Sequence, residues 1–284
     1  MNATICFIGA GNMAKSLIGG LIASGYDKSS VMATDPTSAQ RDALTETFGI
    51  HCFADNSEAI AKADIVVLAV KPQVLQSVCE SIQTSIHNQS KLVISVAAGI
   101  RSEDINRWLG GNTSVVRTMP NTPALIQTGA TGLFANEHVS SAQKSQAEHI
   151  LRAAGITVWV DQEAQLDIVT ALSGSGPAYY FLFMEAMEAT AQKMGLDAKT
   201  AHLLTMQTAL GAAKMVMESS EDCATLRRNV TSPNGTTAAA IESFEKAQLP
   251  KIVEAAMQAA QARAGALADE LANTPKHAEN KGNA

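Results

Sequence analysis

The sequence has few of the residues that build metal centres, disulfide frameworks or nucleic-acid surfaces. Its 284 residues include four cysteines and six histidines, all scattered, and no two cysteines share a metal-ligand or redox spacing. This pattern predicts free thiols in a reducing cytoplasm and no metal site. Lysine and arginine number 21 against 27 acidic residues, and the net charge of −6 without a basic stripe argues against a nucleic-acid partner.

Long apolar runs are also missing. No segment approaches the roughly 18 consecutive apolar residues that a bilayer-spanning helix needs, and the N-terminus shows no cationic stretch leading into an apolar one. We therefore expect a cytoplasmic protein with no membrane partner. Charged residues make up 17% and hydrophobic residues 46% of the chain, and its length suits two domains.

The strongest motif lies near the start of the chain. The apolar run Ile5–Ile8 predicts a buried strand, and apolar residues at helical spacing over 17–22 predict a helix. Between them GAGNMA, from Gly9 to Ala14, has the form G-x-G-x-x-A, which is the dinucleotide-binding fingerprint in its required context. There Gly9 permits a tight turn, Gly11 lets a pyrophosphate approach the backbone, and the helix N-terminus faces the phosphates.

Two polar positions follow the next strands. Residues 30–35 predict a second strand that ends in Asp35. That carboxylate either receives the adenosine ribose hydroxyls or caps the next helix, and the sequence leaves both open. After a weak strand at 51–53, the segment 56–58 predicts the cap of a short helix.

Later apolar runs predict a Rossmann-type doubly wound sheet through about residue 160. The runs at 65–70, 92–96 and 114–117 are rich in β-branched residues, as central parallel strands are, and each ends in a loop of small or polar residues. Two further strands are predicted at 132–135 and 157–160, with a helix between them. The converging strand ends predict a ligand site along one edge of the sheet.

The composition changes after residue 160. From Glu163 to about Leu271 only helical periodicity remains, and the segments 179–194 and 201–217 are apolar nearly all round. Such helices must be buried on more than one face, so we expect a homodimer or higher homo-oligomer rather than a compact monomeric bundle. The predicted domains are a dinucleotide-binding Rossmann domain (1–160), an all-helical dimerisation and substrate-binding domain (161–272) and a disordered tail (273–284).

Two segments rich in glycine, serine, threonine and proline interrupt the helical region. The first, 172–178, lies inside or beside a long helix, and the second, 227–238, ends one helix and starts another. The second offers hydroxyl groups beside free helix N-terminal amides, an arrangement that binds carboxylates. A capped turn without a ligand explains the same residues equally well.

These segments resemble the pyrroline-5-carboxylate reductase family. The matching blocks are FIGAGNM from Phe7, AVKP from Ala69, MPNTP from Met119, SGSGPA from Ser173 and VTSPNGTT from Val230. The resemblance runs in order from about Ile5 to Leu267. Asn234 is a departure, because most members carry glycine there; asparagine tolerates the left-handed backbone, so we expect the loop to keep its shape.

The resemblance implies reduction of (S)-1-pyrroline-5-carboxylate to L-proline by NADPH or NADH, in dimers with interlocked C-terminal helices. It implies that the catalytic Thr237 hydroxyl meets the ring nitrogen and that amides of Gly235, Thr236 and Thr237 hold the carboxylate. The same pocket would include Ser232, Glu163 and Asn229. The implied cofactor contacts are Ile8, Gly9, Ala10, Gly11, Asn12, Met13, Asp35, Asn56, Ala69, Val70, Lys71, Pro72, Ala97 and Asn229.

Two other functions compete with this interpretation. A β-hydroxyacid dehydrogenase shares the N-terminal fold but needs a general base, usually a lysine on the first long helix of the second domain, and no lysine occurs between Lys144 and Lys193. A non-catalytic dinucleotide-sensing protein would not need the second Ser/Thr loop. On cofactor choice, the Asp35 carboxylate predicts a preference for NADH, which Arg41 partly offsets.

Overall fold

The computed structural model describes residues 3–87 and 91–272, which form two compact units. The first unit contains residues 3–175 together with 260–272, and the second contains residues 176–259. The predicted tail 273–284 lies outside the described residues, and the predicted boundary at residue 160 stays a prediction.

The first unit is built on an eight-stranded sheet. Its strands are β1 (Ile5–Ile8), β2 (Val31–Thr34), β3 (His51–Phe53), β4 (Ile65–Leu68), β5 (Leu92–Ser95), β6 (Ser114–Met119), β7 (Gly129–Ala135) and β8 (Gly155–Trp159). Their order across the sheet is β3-β2-β1-β4-β5-β6-β7-β8. This order confirms the predicted Rossmann-type sheet, since β1 lies between β2 and β4 and all three run parallel.

One strand of the sheet reverses direction. β7 pairs antiparallel with β6, whereas β8 pairs parallel with β7. The link from β6 to β7 is a short 3-10 turn at Thr122–Ile126. A parallel pairing needs a crossover of a dozen or more residues, so this short link accounts for the reversal.

Helices cover both faces of the sheet. They are α1 (Asn12–Ala23), α2 (Ser38–Phe48), α3 (Asn56–Ile60), α4 (Pro72–His87), α5 (Ser102–Trp108), α6 (Ser141–Arg152) and α7 (Gln165–Val169). Alternate residues of β1 belong to different apolar clusters: Ile5 and Phe7 to one, Cys6 and Ile8 to the other. This period of two is that of a strand with an apolar core on each side, and it explains why the strand has no polar face.

One predicted helix cap is wrong, and one of the two roles left open for Asp35 is excluded. Asp55, not the segment from Asn56, caps α3, because its carboxylate accepts the Glu58 amide at 2.9 Å. Thr37 occupies the cap position of α2, so Asp35 is not the cap of that helix. The Asp35 carboxylate instead accepts the backbone amides of Ala10 and Thr37.

Every described secondary-structure element of the second unit is a helix. Its helices are α8 (Gly176–Lys193), α9 (Ala198–Glu218), α10 (Cys223–Asn229), α11 (Thr236–Lys246) and the first part of α12 (Leu249–Ala272). A π-helical turn at Thr170–Gly174 precedes α8 and contains part of the predicted Gly/Ser segment. Within the single chain Tyr180, Met194 and Met217 are 70%, 83% and 82% exposed. Among the described helices, none has the length and apolarity to cross a membrane.

Candidate cofactor and substrate sites

The turn after β1 requires glycine at its first position. Gly9 has φ +102°, and a Cβ there would lie 2.8 Å from the carbonyl oxygen of Ala69. The Gly9 amide donates to the Thr34 carbonyl at 2.8 Å, and the Ala69 amide donates to the Ile8 carbonyl at 2.9 Å. The ends of β1, β2 and β4 therefore meet at this turn, and any side chain at position 9 would push them apart.

The start of α1 is open. Gly11 occupies the cap position with φ −73°, and no side chain caps the helix. A Cβ on Gly11 would have nothing within 4 Å, and both Gly11 and Asn12 are exposed. The first amides of a helix have no intrahelical partner, so this end offers free N–H groups and a positive dipole beside empty space. The arrangement fits a dinucleotide pyrophosphate.

Asp35 is tied to the glycine-rich turn. One carboxylate oxygen accepts the Ala10 amide at 3.0 Å and the other accepts the Thr37 amide at 2.9 Å. The Arg41 guanidinium donates to the carbonyl oxygens of Asp35 and Pro36 at 2.6 and 3.0 Å. Asp35 thus lies at the end of β2 beside the pyrophosphate turn, and its contact with a ribose stays a prediction.

The other predicted cofactor residues lie at the same carboxyl edge of the sheet. Asn56 accepts the Thr34 hydroxyl at 2.6 Å. Ala69 and Val70 are half-buried and Lys71 is exposed at the end of β4, where α4 begins with Pro72. Ala97 is buried just after β5. The remaining members, Ile8, Gly9, Ala10, Gly11, Asn12 and Met13, form the end of β1 and the start of α1.

Glu163 belongs to a partly buried ionic cluster in the first unit. One of its carboxylate oxygens accepts the Ser102 amide at 2.6 Å and the Arg117 guanidinium at 3.1 Å, and the other accepts the Ser102 hydroxyl at 2.7 Å. Arg117 is 6% exposed and also reaches Asp167 at 3.5 Å. Glu163 therefore caps α5 and neutralises a buried arginine, and its contact with a substrate stays a prediction.

Arg117 and Ser102 were not among the functional residues predicted from the sequence. A usable signal was present, because Arg117 lies in an otherwise β-branched strand and a buried guanidinium requires carboxylate partners. Which carboxylates would supply them was not readable from spacing, since Glu163 is 46 residues away along the chain.

The predicted carboxylate-binding loop joins α10 to α11 in the second unit. The Gly235 amide donates to the Ser232 carbonyl at 3.0 Å, and a Cβ on Gly235 would collide with the Ser232 hydroxyl. Asn234 has φ +59°, which confirms the left-handed conformation expected where the family carries glycine. The Thr231 hydroxyl donates to the Arg227 carbonyl at 2.6 Å and so fixes the start of the loop.

The N-terminus of α11 carries no side-chain cap. Gly235 occupies the cap position, Thr236 is exposed and Thr237 is half-buried. No hydrogen bond joins the Thr237 hydroxyl to any described residue, so Thr237 is not a cap. The first backbone amides of α11 and the Thr237 hydroxyl are therefore close to one another, and neither has a hydrogen-bond partner among the described residues. Asn229 ends α10 with its amide donating to Glu221 at 2.8 Å.

These features define a class of protein. A parallel sheet with a G-x-G-x-x-A turn at its carboxyl edge and an uncapped helix behind it is a Rossmann-type dinucleotide-binding domain. Residues 4–99 match the family model described as NADP oxidoreductase, coenzyme F420-dependent. Residues 163–267 match the model described as pyrroline-5-carboxylate reductase dimerisation. The chain thus combines the cofactor domain of an oxidoreductase with a dimerisation region.

Relatives that match nearly the whole length of the chain identify its family. The pyrroline-5-carboxylate reductase of Pseudomonas aeruginosa is 51% identical over 267 residues, covering 94% of this chain and 97% of that protein. The structure of a pyrroline-5-carboxylate reductase from Coxiella burnetii is 46% identical, with a TM-score of 0.91, and the match covers 94% of this chain and 99% of that one. A Plasmodium falciparum pyrroline carboxylate reductase structure with NADP bound is 30% identical with a TM-score of 0.82, covering 94% and 98%. This chain belongs to the pyrroline-5-carboxylate reductase family.

Proposed function

We propose that this protein reduces (S)-1-pyrroline-5-carboxylate to L-proline with NADPH or NADH, the last step of proline synthesis. The observation that carries the proposal is the uncapped start of α11, where free amides lie beside the Thr237 hydroxyl. A small cyclic imine with one carboxylate needs these groups: donors for the carboxylate and one hydrogen-bond partner for the ring nitrogen.

The glycine-rich turn and the strand ends around it are the proposed cofactor site. The free amides at the start of α1 bind the pyrophosphate, and Gly11 leaves room for it. Asn56, Ala69–Pro72 and Ala97 line the same edge of the sheet, and the family resemblance implies Asn229 as a further cofactor contact. Bound NADPH or NADH supplies the hydride that the imine carbon accepts.

The proposed substrate contacts need neither a strong acid nor a metal. The imine nitrogen is readily protonated, so its carbon is already electrophilic and catalysis rests on positioning. Amides of Gly235, Thr236 and Thr237 hold the carboxylate at the positive end of α11, with Ser232 in the same loop. The Thr237 hydroxyl hydrogen-bonds the ring nitrogen. Glu163 is included as a candidate substrate contact, although its hydrogen bonds to Ser102 and Arg117 favour a role in anchoring α5.

The proposal includes a homodimer, or a higher homo-oligomer, formed by the helical region. The exposed Tyr180, Met194 and Met217 leave large apolar side chains to be covered, at about 25 cal/mol per Å² of buried apolar surface. We expect sedimentation at sub-micromolar concentration to detect no active monomer. An active folded monomer would contradict this part of the proposal.

A cytoplasmic location, without nucleic-acid or membrane partners, completes the proposal. All four cysteines are free, as suits a reducing compartment. Burial raises the pKa of the Cys6 and Cys79 thiols to about 12, so both stay protonated and unreactive at neutral pH.

Thr237→Val tests the proposal. It keeps the shape and β-branching of the side chain and removes one hydroxyl facing a polar substrate atom, which costs about 1–3 kcal/mol. We expect kcat/KM for pyrroline-5-carboxylate to fall by about 5- to 150-fold, with Tm and cofactor Kd unchanged.

Thr236→Val is the matched control, since it makes the same change one residue earlier at an exposed position. It should leave kcat/KM nearly unchanged. A Thr237→Val enzyme with full activity and a lowered Tm would assign Thr237 to structure and remove it from the catalytic site.

A further inference from the structure

The end of α12 packs on the loop that follows β5. Gly99 is buried with φ +74°, and a Cβ there would lie 3.4 Å from Leu267 and 3.6 Å from Leu271. Leu271 also packs against the apolar cluster on that face of the sheet, and Ala268 is buried. Two turns of helix therefore cover this loop directly.

An ion pair joins that helix end to the other end of the loop. The Arg101 guanidinium donates to the Asp269 carboxylate at 2.7 Å, and both side chains are more than one-third exposed. A pair so open to water contributes little stability. Its position matters more, because Arg101 immediately precedes α5 and ties the far end of the loop to α12.

The loop 97–101 is thus held from three directions. β5 holds its start, α12 covers its middle at Gly99, and Glu163 accepts both the amide and the hydroxyl of Ser102 at its end. The same loop begins with Ala97, which belongs to the proposed cofactor site.

We infer that the α12 end, residues 264–272, positions the loop 97–101 for cofactor binding. Leu267, Leu271 and Asp269 are positioning residues, since the contacts they make are with the loop and its flanking Arg101. This inference rests on the proposed function only in placing NAD(P)H beside Ala97. When the contact is lost, the loop samples other conformations, and the apparent Kd rises in inverse proportion to the fraction of molecules that stay competent.

Leu271→Ala tests the inference by direct NADPH and NADH binding, followed by nicotinamide fluorescence. If the loop is competent in about one molecule in ten, both Kd values rise about tenfold together. We expect kcat at saturating cofactor and KM for pyrroline-5-carboxylate to stay within about twofold of wild type, because the bound enzyme regains the native loop. Leu271→Met, which keeps the volume, should restore both Kd values.

Arg263→Gln is the control. It breaks an ion pair with Glu270 that lies within α12 itself, and it should leave both Kd values unchanged. A Leu271→Ala protein with a lowered Tm but wild-type Kd values would overturn the inference, and so would a rise in KM for the imine alone.

The binding readout separates the two proposals. A wild-type protein that binds NADPH but does not reduce pyrroline-5-carboxylate refutes the proposed function, and the Leu271→Ala comparison still decides the inference. A wild-type protein that binds neither nucleotide refutes both.

Discussion

Glu163→Gln distinguishes two roles for one carboxylate. The family resemblance implies that Glu163 lines the substrate pocket. In the structure both of its oxygens are already used, on the Ser102 amide and hydroxyl and on the Arg117 guanidinium. Glutamine keeps the size of the side chain and its ability to bond Ser102, so the change removes charge and little else.

The magnitude follows from the burial of Arg117. Removing one partner of a buried ion pair costs about 3–5 kcal/mol. Here Asp167 remains as a second carboxylate at 3.5 Å, so we expect a loss near the low end or just below it, about 2–3 kcal/mol. For a unit of this size Tm falls by about 2–4 °C per kcal/mol, which gives about 4–12 °C.

Thermal unfolding and steady-state kinetics on the same preparation form the assay. We expect the Glu163→Gln protein to show the lowered Tm, with KM for pyrroline-5-carboxylate within about twofold of wild type. Glu103→Gln makes the same change at an exposed carboxylate in the first turn of α5 and should cost less than about 1 kcal/mol. An unchanged Tm with a KM raised tenfold or more would refute the anchoring role and place Glu163 against the substrate.

Further predictions concern the turns and the cofactor edge. Gly9→Ala should lower Tm and abolish cofactor binding, because its Cβ would lie 2.8 Å from the Ala69 carbonyl. Gly11→Ala should keep the wild-type Tm and raise the NADPH Kd at least about tenfold, because its Cβ would fill the pyrophosphate space; wild-type NADPH affinity in this variant would place the pyrophosphate elsewhere. Asn234→Gly should be neutral in thermal unfolding, whereas Asn234→Ala should lose about 1 kcal/mol at φ +59°; equal Tm values would show that the loop relaxes. Asp35→Ser should shift the kcat/KM ratio toward NADPH by at least about tenfold while lowering Tm, and an unchanged ratio would mean that the carboxylate does not face the 2′ position.

The start of the chain could be predicted from local signals alone. An apolar run, a G-x-G-x-x-A turn and a helical repeat specify β1, the turn and α1, because each depends on neighbours in sequence. The left-handed Asn234 was predicted from the family resemblance, because most members carry glycine there and asparagine tolerates this backbone conformation.

What could not be predicted depends on distant contacts. The reversal of β7 follows from a link too short for a crossover, and only the strand pairing reveals it. The carboxylate of Asp35 bonds the Ala10 amide, 25 residues away. A sequence shows that such a side chain needs partners but not which of several candidates the fold brings within reach.

The order in which the chain is made bears on how its cofactor domain is completed. The unit that carries the sheet contains residues 260–272, which are synthesised only after the whole helical unit, residues 176–259. On the ribosome the sheet can form early, but Gly99 lacks its neighbours Leu267 and Leu271 until those residues emerge. During that interval the loop after β5 lacks its contacts with α12, so an interrupted end of synthesis would leave this side of the cofactor domain incomplete.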